Sequence, residues 1–255
     1  MTEHRRGNQR LWNEWSDDFQ ALWNADTAEG GLPPAPSPFA PDAPGGSQPE
    51  VPSVEGKDCV ELGCGGGQGS VGTAELGTRT VVGVDFSGEQ LRHARQLRDL
   101  YGVEVRFVQG DVTNLPLADD RFDVASSEAA FQMVEHVDRA LLEARRVLRD
   151  GGLFVFSVPH SLYEALDPET GTIERSYFDA GPREITIDED YESVLTVFDR
   201  TVADLHNTLV DAGFEVQRLL EHGHHEVEEN EPADSDLPEI LWNVPQSVRF
   251  WTVAR

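Results

Sequence analysis

The chain of 255 residues is long enough to bury one sizeable core, and it shows neither the roughly 18-residue apolar run of a membrane span nor the apolar core of a signal peptide. Its 47 acidic and 20 basic residues give a net charge of −27, which disfavours nucleic acids and anionic membranes as partners at ordinary ionic strength. Lys57 is the only lysine. We interpret the excess of acidic residues as a solubility adaptation of a cytoplasmic protein from a halophile. In a salt-rich cytoplasm charges are screened, so the acidity excludes nucleic acid as a partner less firmly.

Residues 1–53 are predicted to form an N-terminal helix and a proline-rich linker ahead of the main domain. The apolar residues with the spacing of a helix face over residues 8–24 are Trp12, Trp15, Phe19, Leu22 and Trp23. Such a helix either packs on the domain or covers a ligand pocket as a lid. Residues 32–52 hold eight of the fifteen prolines, too many for regular structure. The main domain is therefore expected to span residues 54–255.

Short apolar strands alternate with helices from residue 54 onward, which predicts an α/β fold with a mostly parallel sheet and helices on both faces. The predicted strands are 59–62, 80–86, 103–111, 121–127, 153–159, 214–221 and 248–254, the last antiparallel to its neighbour. The predicted helices are 68–77, 88–101, 136–149 and 201–212. Residues 160–200 interrupt the alternation as an insert, and the polar run 222–239 is predicted to be a loop.

Two local signals accompany these helices. Ser87 and Gln90 have the spacing of a capping box at the start of helix 88–101. Gly151 and Gly152 are predicted to end helix 136–149. The two cysteines of the chain form no CxxC pair and predict neither a disulfide framework nor a redox site.

Polar residues follow four successive strands at the edge where open α/β sheets bind ligands. Glu61 precedes a glycine-rich turn, where a carboxylate suits an ammonium group and not a pyrophosphate. Asp85 ends the second strand and can accept both hydroxyls of a ribose. Asp111 and the amide of Val112 follow the third strand and can read an adenine ring. Ser127, near the end of the fourth strand, would border the rest of the ligand.

These residues favour S-adenosylmethionine (SAM), a nucleoside that carries an ammonium group and no phosphate. A second cofactor class stays open, because Gly67–Gly72 satisfies the GxGxxG pattern of dinucleotide-binding turns and Asp85 would also suit NAD. An NAD(P)-dependent oxidoreductase is therefore the alternative, with Glu61 and Asp111 against it. A SAM-binding protein without catalytic activity is a third possibility.

Four stretches carry a family resemblance: VELGCGGGQGS, VVGVDFSGEQL, VQGDVTNLPLADDRFDV and RVLRDGGLFVFSVP. In this order they resemble the motifs of class I SAM-dependent methyltransferases, above all the branch that includes ubiquinone- and menaquinone-biosynthesis enzymes. The resemblance covers residues 54–160 strongly and 200–255 more weakly. It implies a Rossmann-like sheet of seven strands with the last antiparallel, SAM as cofactor, and methyl transfer to a small-molecule acceptor by a monomer or homodimer.

The resemblance also implies roles for particular residues. The predicted cofactor contacts are Glu61, Gly63, Gly65 and Gly67 in the SAM loop, Asp85 on the ribose, Phe86 packed on the adenine, and Asp111 with Val112 reading the adenine. The N-terminal helix resembles the lid helix of many such enzymes. The insert 160–200 falls where the family places substrate-covering elements.

A base is needed when the acceptor is a hydroxyl or a carbon acid. His160, after the predicted strand 153–159, is the first candidate, and His136, at the start of a helix, is the second. A histidine cluster at His222–His225 has a spacing that fits no common catalytic zinc site, so no metal is predicted. The residues leave open whether O, N, S or C of the acceptor receives the methyl group.

Overall fold

The computed structural model describes residues 2–25, 27, 31–40, 52–188, 190–224 and 238–255. The strands are β1 (Asp58–Leu62), β2 (Thr80–Asp85), β3 (Arg106–Gln109), β4 (Phe122–Glu128), β5 (Leu148–Pro159), β6 (Gly181–Ile185), β7 (Leu195–Asp199), β8 (Phe214–His222) and β9 (Ser247–Ala254). The α-helices are α1 (Glu3–Glu14), α2 (Ser16–Asn24), α3 (Gln68–Glu75), α4 (Gly88–Tyr101), α5 (Val137–Val147), α6 (Val202–Asp211) and α7 (Glu239–Trp242). Short 3-10 turns lie at Phe131–Met133 and Tyr163–Ala165.

The main sheet has the order β3-β2-β1-β4-β5-β9-β8. Strands β1 to β5 pair in parallel, and β9 pairs antiparallel with β5 on one side and β8 on the other. The predicted mostly parallel sheet with an antiparallel last strand is thereby confirmed. Because β9 runs the opposite way, its first residues lie at the same edge as the carboxyl ends of the parallel strands.

Alternate residues of the central strands fill two cores, one on each face of the sheet. Phe154 and Phe156 face the layer of α5 and α6, whereas Val155 between them faces α3 and α4. All three side chains are fully buried. A strand buried on both faces reads as a continuous apolar run, which is why LFVFSVP was recognisable in the sequence. Among the described residues, no helix combines the length and apolarity that a bilayer crossing requires.

The paired glycines at 151 and 152 do not end a helix, contrary to the sequence prediction. Helix α5 ends at Val147, and β5 starts at the next residue. The pairing of β4 with β5 shifts register between Leu148 and Leu153. Gly151 has a φ of 77° inside this irregular stretch. The glycines thus allow a bulge within a strand, a role that such residues also fill.

The capping box predicted before α4 is only half formed. Ser87 Oγ accepts the amide of Gln90 at 3.1 Å. The Gln90 side chain does not return to Ser87, because its Oε1 accepts from Gln20 Nε2 at 2.8 Å. The Ser87 amide instead donates to Asp85 Oδ1 at 2.8 Å. A tertiary contact with the N-terminal segment therefore replaces the local one.

The predicted N-terminal helix over 8–24 consists of two helices that meet at Trp15. The rings of Trp12, Trp15 and Phe19 pack together with centroids 5.0–5.2 Å apart. Part of the predicted linker is also ordered on the domain. A Cβ at Gly72 of α3 would lie 2.0 Å from the carbonyl oxygen of Ala35, so only glycine permits this approach. Residues 41–51 lie outside the described residues.

The insert 160–200 contains an antiparallel hairpin of β6 and β7, which the sequence analysis did not predict. Strand β7 packs against α1. The Asn8 side chain exchanges two hydrogen bonds of 2.7 Å with the backbone of Thr196. The N-terminal helix and the insert hairpin are therefore joined to one another on the same side of the domain.

Candidate functional site

A cavity of about 540 Å³ lies at the carboxyl edge of β1 to β4. Its wall combines the glycine-rich turn, the acidic ends of the four strands, and side chains from α1, α2 and β7. The main lining residues are Arg5, Trp12, Phe19, Trp23, Glu61, Gly63, Gly65, Asp85, Phe86, Asp111, Val112, Glu128, Ala130, Met133, His136, Phe198 and Arg249.

The turn from Gly63 to Gly67 brings bare backbone to the cavity. The amide of Gly63 donates to the carbonyl of Val84 at 2.7 Å, which fixes the turn against β2. Gly63 has a φ of 76°, and a Cβ there would lie 2.4 Å from Ala130 Cβ. Gly63 and Gly65 line the cavity, whereas Gly67 lies behind it as the N-cap of α3 with a φ of 82°.

Glu61 presents a buried carboxyl group beneath this turn. The residue is 6% exposed, and its Oε2 accepts the hydroxyl of Ser70. Burial raises the pKa of Glu61 to about 8, and the Ser70 hydrogen bond opposes part of this rise. A carboxyl group held in this way gains its charge when a cation arrives. The site thus suits the ammonium group of a ligand.

Asp85 closes the turn from the neighbouring strand. Its Oδ2 accepts the amide of Gly65 at 2.9 Å, and its Oδ1 accepts the amide of Ser87 at 2.8 Å. Burial raises the pKa of Asp85 to about 6, while these backbone donors counteract the rise. Each carboxylate oxygen has two lone pairs, so Asp85 keeps acceptor capacity for a ligand hydroxyl.

Asp111 lies at the end of the cavity next to β3. Its carboxylate accepts the Thr113 amide at 2.9 Å and the Thr113 hydroxyl at 2.8 Å. It also forms an ion pair with Arg5 of α1. Phe86 and Val112 line the same end. Arg5 was not predictable as a site residue, because its polar neighbourhood in MTEHRRGNQR carries no sign of a long-range partner.

Ser127 lies in the core and not on the cavity wall. It is fully buried, and its hydroxyl donates to the carbonyl of Leu62 at 2.7 Å. The next residue, Glu128, lines the cavity instead. Neighbours in a strand point to opposite faces, so a shift of one residue exchanges a core position for a cavity position.

His160, the first candidate base, is not part of the cavity wall that the described residues form. It is 4% exposed beyond β5. Its Nδ1 accepts the amide of Leu162 at 3.1 Å, and its Nε2 contacts Glu221 Oε1 at 3.0 Å, so the proton belongs on Nε2. Burial lowers the pKa of His160, and Glu221 opposes this. In this position both ring nitrogens of His160 already have partners within the fold.

His136 does line the cavity, at the exposed N-cap position of α5. It is the histidine that remains as a candidate base among the described cavity residues. Of the predicted histidine cluster, His224 contacts Tyr163 and Trp242. His225 lies outside the described residues, so the predicted absence of a metal stays a prediction.

The cavity fits the chemical groups of SAM in two observed respects. Glu61 is a buried carboxyl group that a ligand cation would charge, and Gly63 and Gly65 leave a cradle that a Cβ would fill. The row of Glu61, Asp85 and Asp111 also follows the order β1, β2 and β3 along one wall.

Comparison with known proteins identifies the family. Residues 60–156 match a family model described as a methyltransferase domain. A crystal structure of an S-adenosylmethionine-dependent methyltransferase from Mesorhizobium loti is 30% identical with a TM-score of 0.68, over 80% of this chain and 93% of that one. The chain belongs to the SAM-dependent methyltransferases. The cofactor of this family is SAM, and family membership sets the NAD(P) alternative aside.

Curated relatives of the family match over the shared domain. A fatty-acid O-methyltransferase of Mycolicibacterium smegmatis is 34% identical over 44% of this chain and 40% of the relative. A malonyl-[acyl-carrier protein] O-methyltransferase of Pectobacterium atrosepticum is 36% identical over 42% of this chain and 40% of the relative. The chain thus matches less than half the length of either relative.

Proposed function

We propose that this chain transfers a methyl group from SAM to a small-molecule acceptor bound in the cavity. The observation that carries the proposal is the row of Asp111, Asp85 and Glu61 beside the glycine-rich turn, on one cavity wall of a chain that belongs to this family. The two curated relatives, named for a fatty acid and a malonyl group on a carrier protein, support an acceptor with an acyl chain.

Different residues along the cavity wall would contact different parts of the cofactor. Asp111 with Val112 would hold the adenine, Asp85 the ribose, and Glu61 the ammonium group, while Phe86 would pack on the adenine. SAM, when bound, supplies a methyl group on a positively charged sulfur. The protein's own part is to orient an acceptor atom toward that group and to keep water away from it.

Helices α1 and α2 are proposed to act as the lid, and the insert 160–200 as the acceptor cover. Trp12, Phe19 and Trp23 line the cavity from the two helices, and Phe198 lines it from the insert.

We further propose that the protein works in a salt-rich cytoplasm, as a monomer or homodimer and without nucleic acid. The excess of acidic residues supports this setting. Light scattering after size-exclusion chromatography, with and without added RNA, tests the stoichiometry.

Isothermal titration with SAM and with S-adenosylhomocysteine tests the proposal, in 0.1 M and in molar KCl. We expect binding of both, and a loss of at least about tenfold in affinity for Asp85→Asn, because one charged acceptor of two hydrogen bonds is removed. Asp99→Asn, an exposed position on α4, is the matched control and should bind as the unaltered protein does. Absence of binding at both salt concentrations, or binding of NADH instead, contradicts the proposal.

A further inference from the structure

The row of polar side chains continues past the residues assigned to the cofactor. Strand β4 lies next to β1, and β5 and β9 follow on the side away from β2 and β3. Glu128 at the end of β4 and Arg249 near the start of β9 both line the cavity. Asp85 and Asp111 lie at the opposite end of the same edge. If the cofactor lies over β3, β2 and β1, as proposed above, Arg249 belongs to the acceptor's end.

Arg249 is a buried cation whose hydrogen bonds are incomplete. It is 8% exposed, and its Nη2 donates to Glu128 Oε2 at 2.8 Å. Among the described residues, Nε and Nη1 are buried and have no hydrogen-bond partner. A buried donor without a partner costs about 1–3 kcal/mol, and more when it is charged. A residue retained in this state is expected to meet a ligand.

The position of the guanidinium group is fixed from two sides. Arg249 pairs across the sheet with Ser157 of β5. The Ser157 hydroxyl donates to the same oxygen of Glu128 that Arg249 binds, at 2.7 Å. Glu128 thus holds one nitrogen of Arg249 in place, while the other two nitrogens and Glu128 Oε1 have no hydrogen-bond partner among the described residues.

The remaining wall is mostly apolar. Trp12 from α1, Met133 and Val134 from the turn after β4, and Phe198 from β7 line the cavity. The indole of Trp12 donates to the sulfur of Met133 at 3.1 Å, which joins α1 to this wall. A pocket with apolar walls and a buried arginine selects an apolar molecule that has an anionic end.

We propose that Arg249 binds a carboxylate of the acceptor, so that the acceptor is an apolar carboxylic acid or an acyl group ending in a carboxylate. Arg249 is then the residue that selects the acceptor, and Glu128 positions it. This inference rests on the proposed function, since it takes the cofactor to occupy the other end of the cavity.

Two binding measurements test the assignment, and octanoate and octan-1-ol are the probes. The first is titration with S-adenosylhomocysteine; the second is titration with each probe at saturating S-adenosylhomocysteine. For Arg249→Gln we expect nucleoside affinity within about twofold of the unaltered protein and octanoate affinity at least about tenfold lower, the loss of a charged hydrogen-bonding pair. The unaltered protein should prefer octanoate to octan-1-ol by a similar factor. Arg218→Gln, an exposed arginine of β8 outside the cavity wall, is the control and should change neither.

Removing Arg249 alone leaves the Glu128 carboxylate without its cation and can destabilise the fold. The double variant Arg249→Gln/Glu128→Gln removes both charges, and it should melt close to the unaltered protein and still lose octanoate. A fall in S-adenosylhomocysteine affinity in either variant would assign Arg249 to the cofactor's own carboxylate and overturn the inference. Equal binding of acid and alcohol, or binding of neither, overturns it as well. Failure of the unaltered protein to bind S-adenosylhomocysteine instead overturns the proposed function.

Discussion

The proposed contact of Glu61 with the ammonium group of SAM would couple ligand binding to the release of a proton. Its pKa of about 8 means that the carboxyl group is mostly protonated at pH 7 in the unliganded protein, because burial disfavours the charged form. The ammonium group of SAM favours the carboxylate, so binding should release this proton. On this proposal Glu61 is mostly neutral before binding and charged afterwards.

Calorimetry at pH 7 in buffers of different ionisation enthalpy should detect the release of about one proton on SAM binding. The release should be smaller at pH 8, where about half of Glu61 is already ionised in the unliganded protein. Glu61→Gln should abolish it and lower SAM affinity at least about tenfold, because a charged acceptor is lost. Glu75→Gln, an exposed position on α3, should keep both, and a Glu61→Gln variant that still releases the proton would contradict the assignment.

The same pKa makes the unliganded protein depend on pH in a defined direction. The folded pKa of Glu61, about 8, lies above the ordinary value of 4.5, so between these pH values the folded state holds a proton that the unfolded state has lost. Stability should therefore fall as pH rises through this window. Urea unfolding at pH 5.5 and pH 8 should show the decrease in unfolding free energy. In Glu61→Gln the part of this decrease that comes from Glu61 should be absent.

Gly67 offers a test of the turn that separates backbone strain from crowding. Gly67 and Gly102 have φ of 82° and 66°, but a Cβ on Gly67 would lie 2.8 Å from Ala94 and Phe107, whereas one on Gly102 meets open space. Gly102→Ala should cost about 1–2 kcal/mol of unfolding free energy from the left-handed backbone alone. Gly67→Ala should cost about 1–3 kcal/mol more because of overpacking. Equal losses of unfolding free energy in the two variants would show that α4 can shift away from the added methyl group without an energetic penalty.

Single residues were predictable from the sequence where a motif fixed both the strand and its end. Glu61 and Asp85 were found because each ends a buried strand beside a glycine-rich turn. His160 was predicted to lie beside the methyl group, and it lies outside the wall of the described cavity. Its position depends on how far β5 runs and on the pairing of β5 with β9, which no local pattern encodes. Arg249 left one signal, as the charged residue inside the apolar strand VRFWTVA.

At the scale of elements, α1 covers the Asp111 end of the cavity through one ion pair. Arg5 is 30% exposed at its side chain and Asp111 15%. If Asp111 accepts from the adenine amine, the cofactor competes with Arg5 for the same carboxylate. The ion pair of the N-terminal helix then opposes entry of the cofactor.

Arg5→Gln should speed SAM association about two- to fivefold, the effect of losing an ion pair worth about 0.5–1 kcal/mol. Dissociation should change little, because the cofactor has already displaced Arg5 from Asp111 in the bound state. Stopped-flow tryptophan fluorescence can follow both rates, since Trp12 and Trp23 line the cavity. Arg6→Gln, an exposed neighbour on α1, should leave the rates unchanged, and equal effects of the two variants would mean a general charge effect.

Elements were predictable where periodicity was strong and isolated. The parallel strands and helices α3 to α6 are recognisable because short apolar strands alternate with amphipathic helices along the chain. The hairpin of β6 and β7 was missed because its exposed strand Gly181–Ile185 mixes charged and apolar residues. Its stability comes from α1 and the domain surface, contacts between segments far apart in sequence. The interruption of the N-terminal helix at Trp15 has no signal that we recognise in the sequence.

For the molecule as a whole, a net charge of −27 should make stability depend on salt. We expect the melting temperature to rise by about 5–10 °C between 0.1 M and 2 M KCl, if screening recovers about 2–3 kcal/mol of self-repulsion. Screening saturates once the Debye length is a few ångströms, so most of the rise should occur below about 1 M. A linear rise over the full range would indicate preferential exclusion of salt, and no rise would contradict adaptation to a salt-rich solvent.

The place of β9 between β5 and β8 also bears on how the chain is made. In the described part of the protein, β8 has β9 as its one partner in the sheet, yet β8 is translated first and 223–246 must follow before β9 exists. At about 5–20 residues per second, β8 waits roughly one to five seconds with both edges unpaired. Exposed strand edges invite pairing with other chains. During that interval β8 carries the charged side chains of Glu215, Arg218 and Glu221. These charges would disfavour pairing of β8 with strands of other chains before the fold is complete.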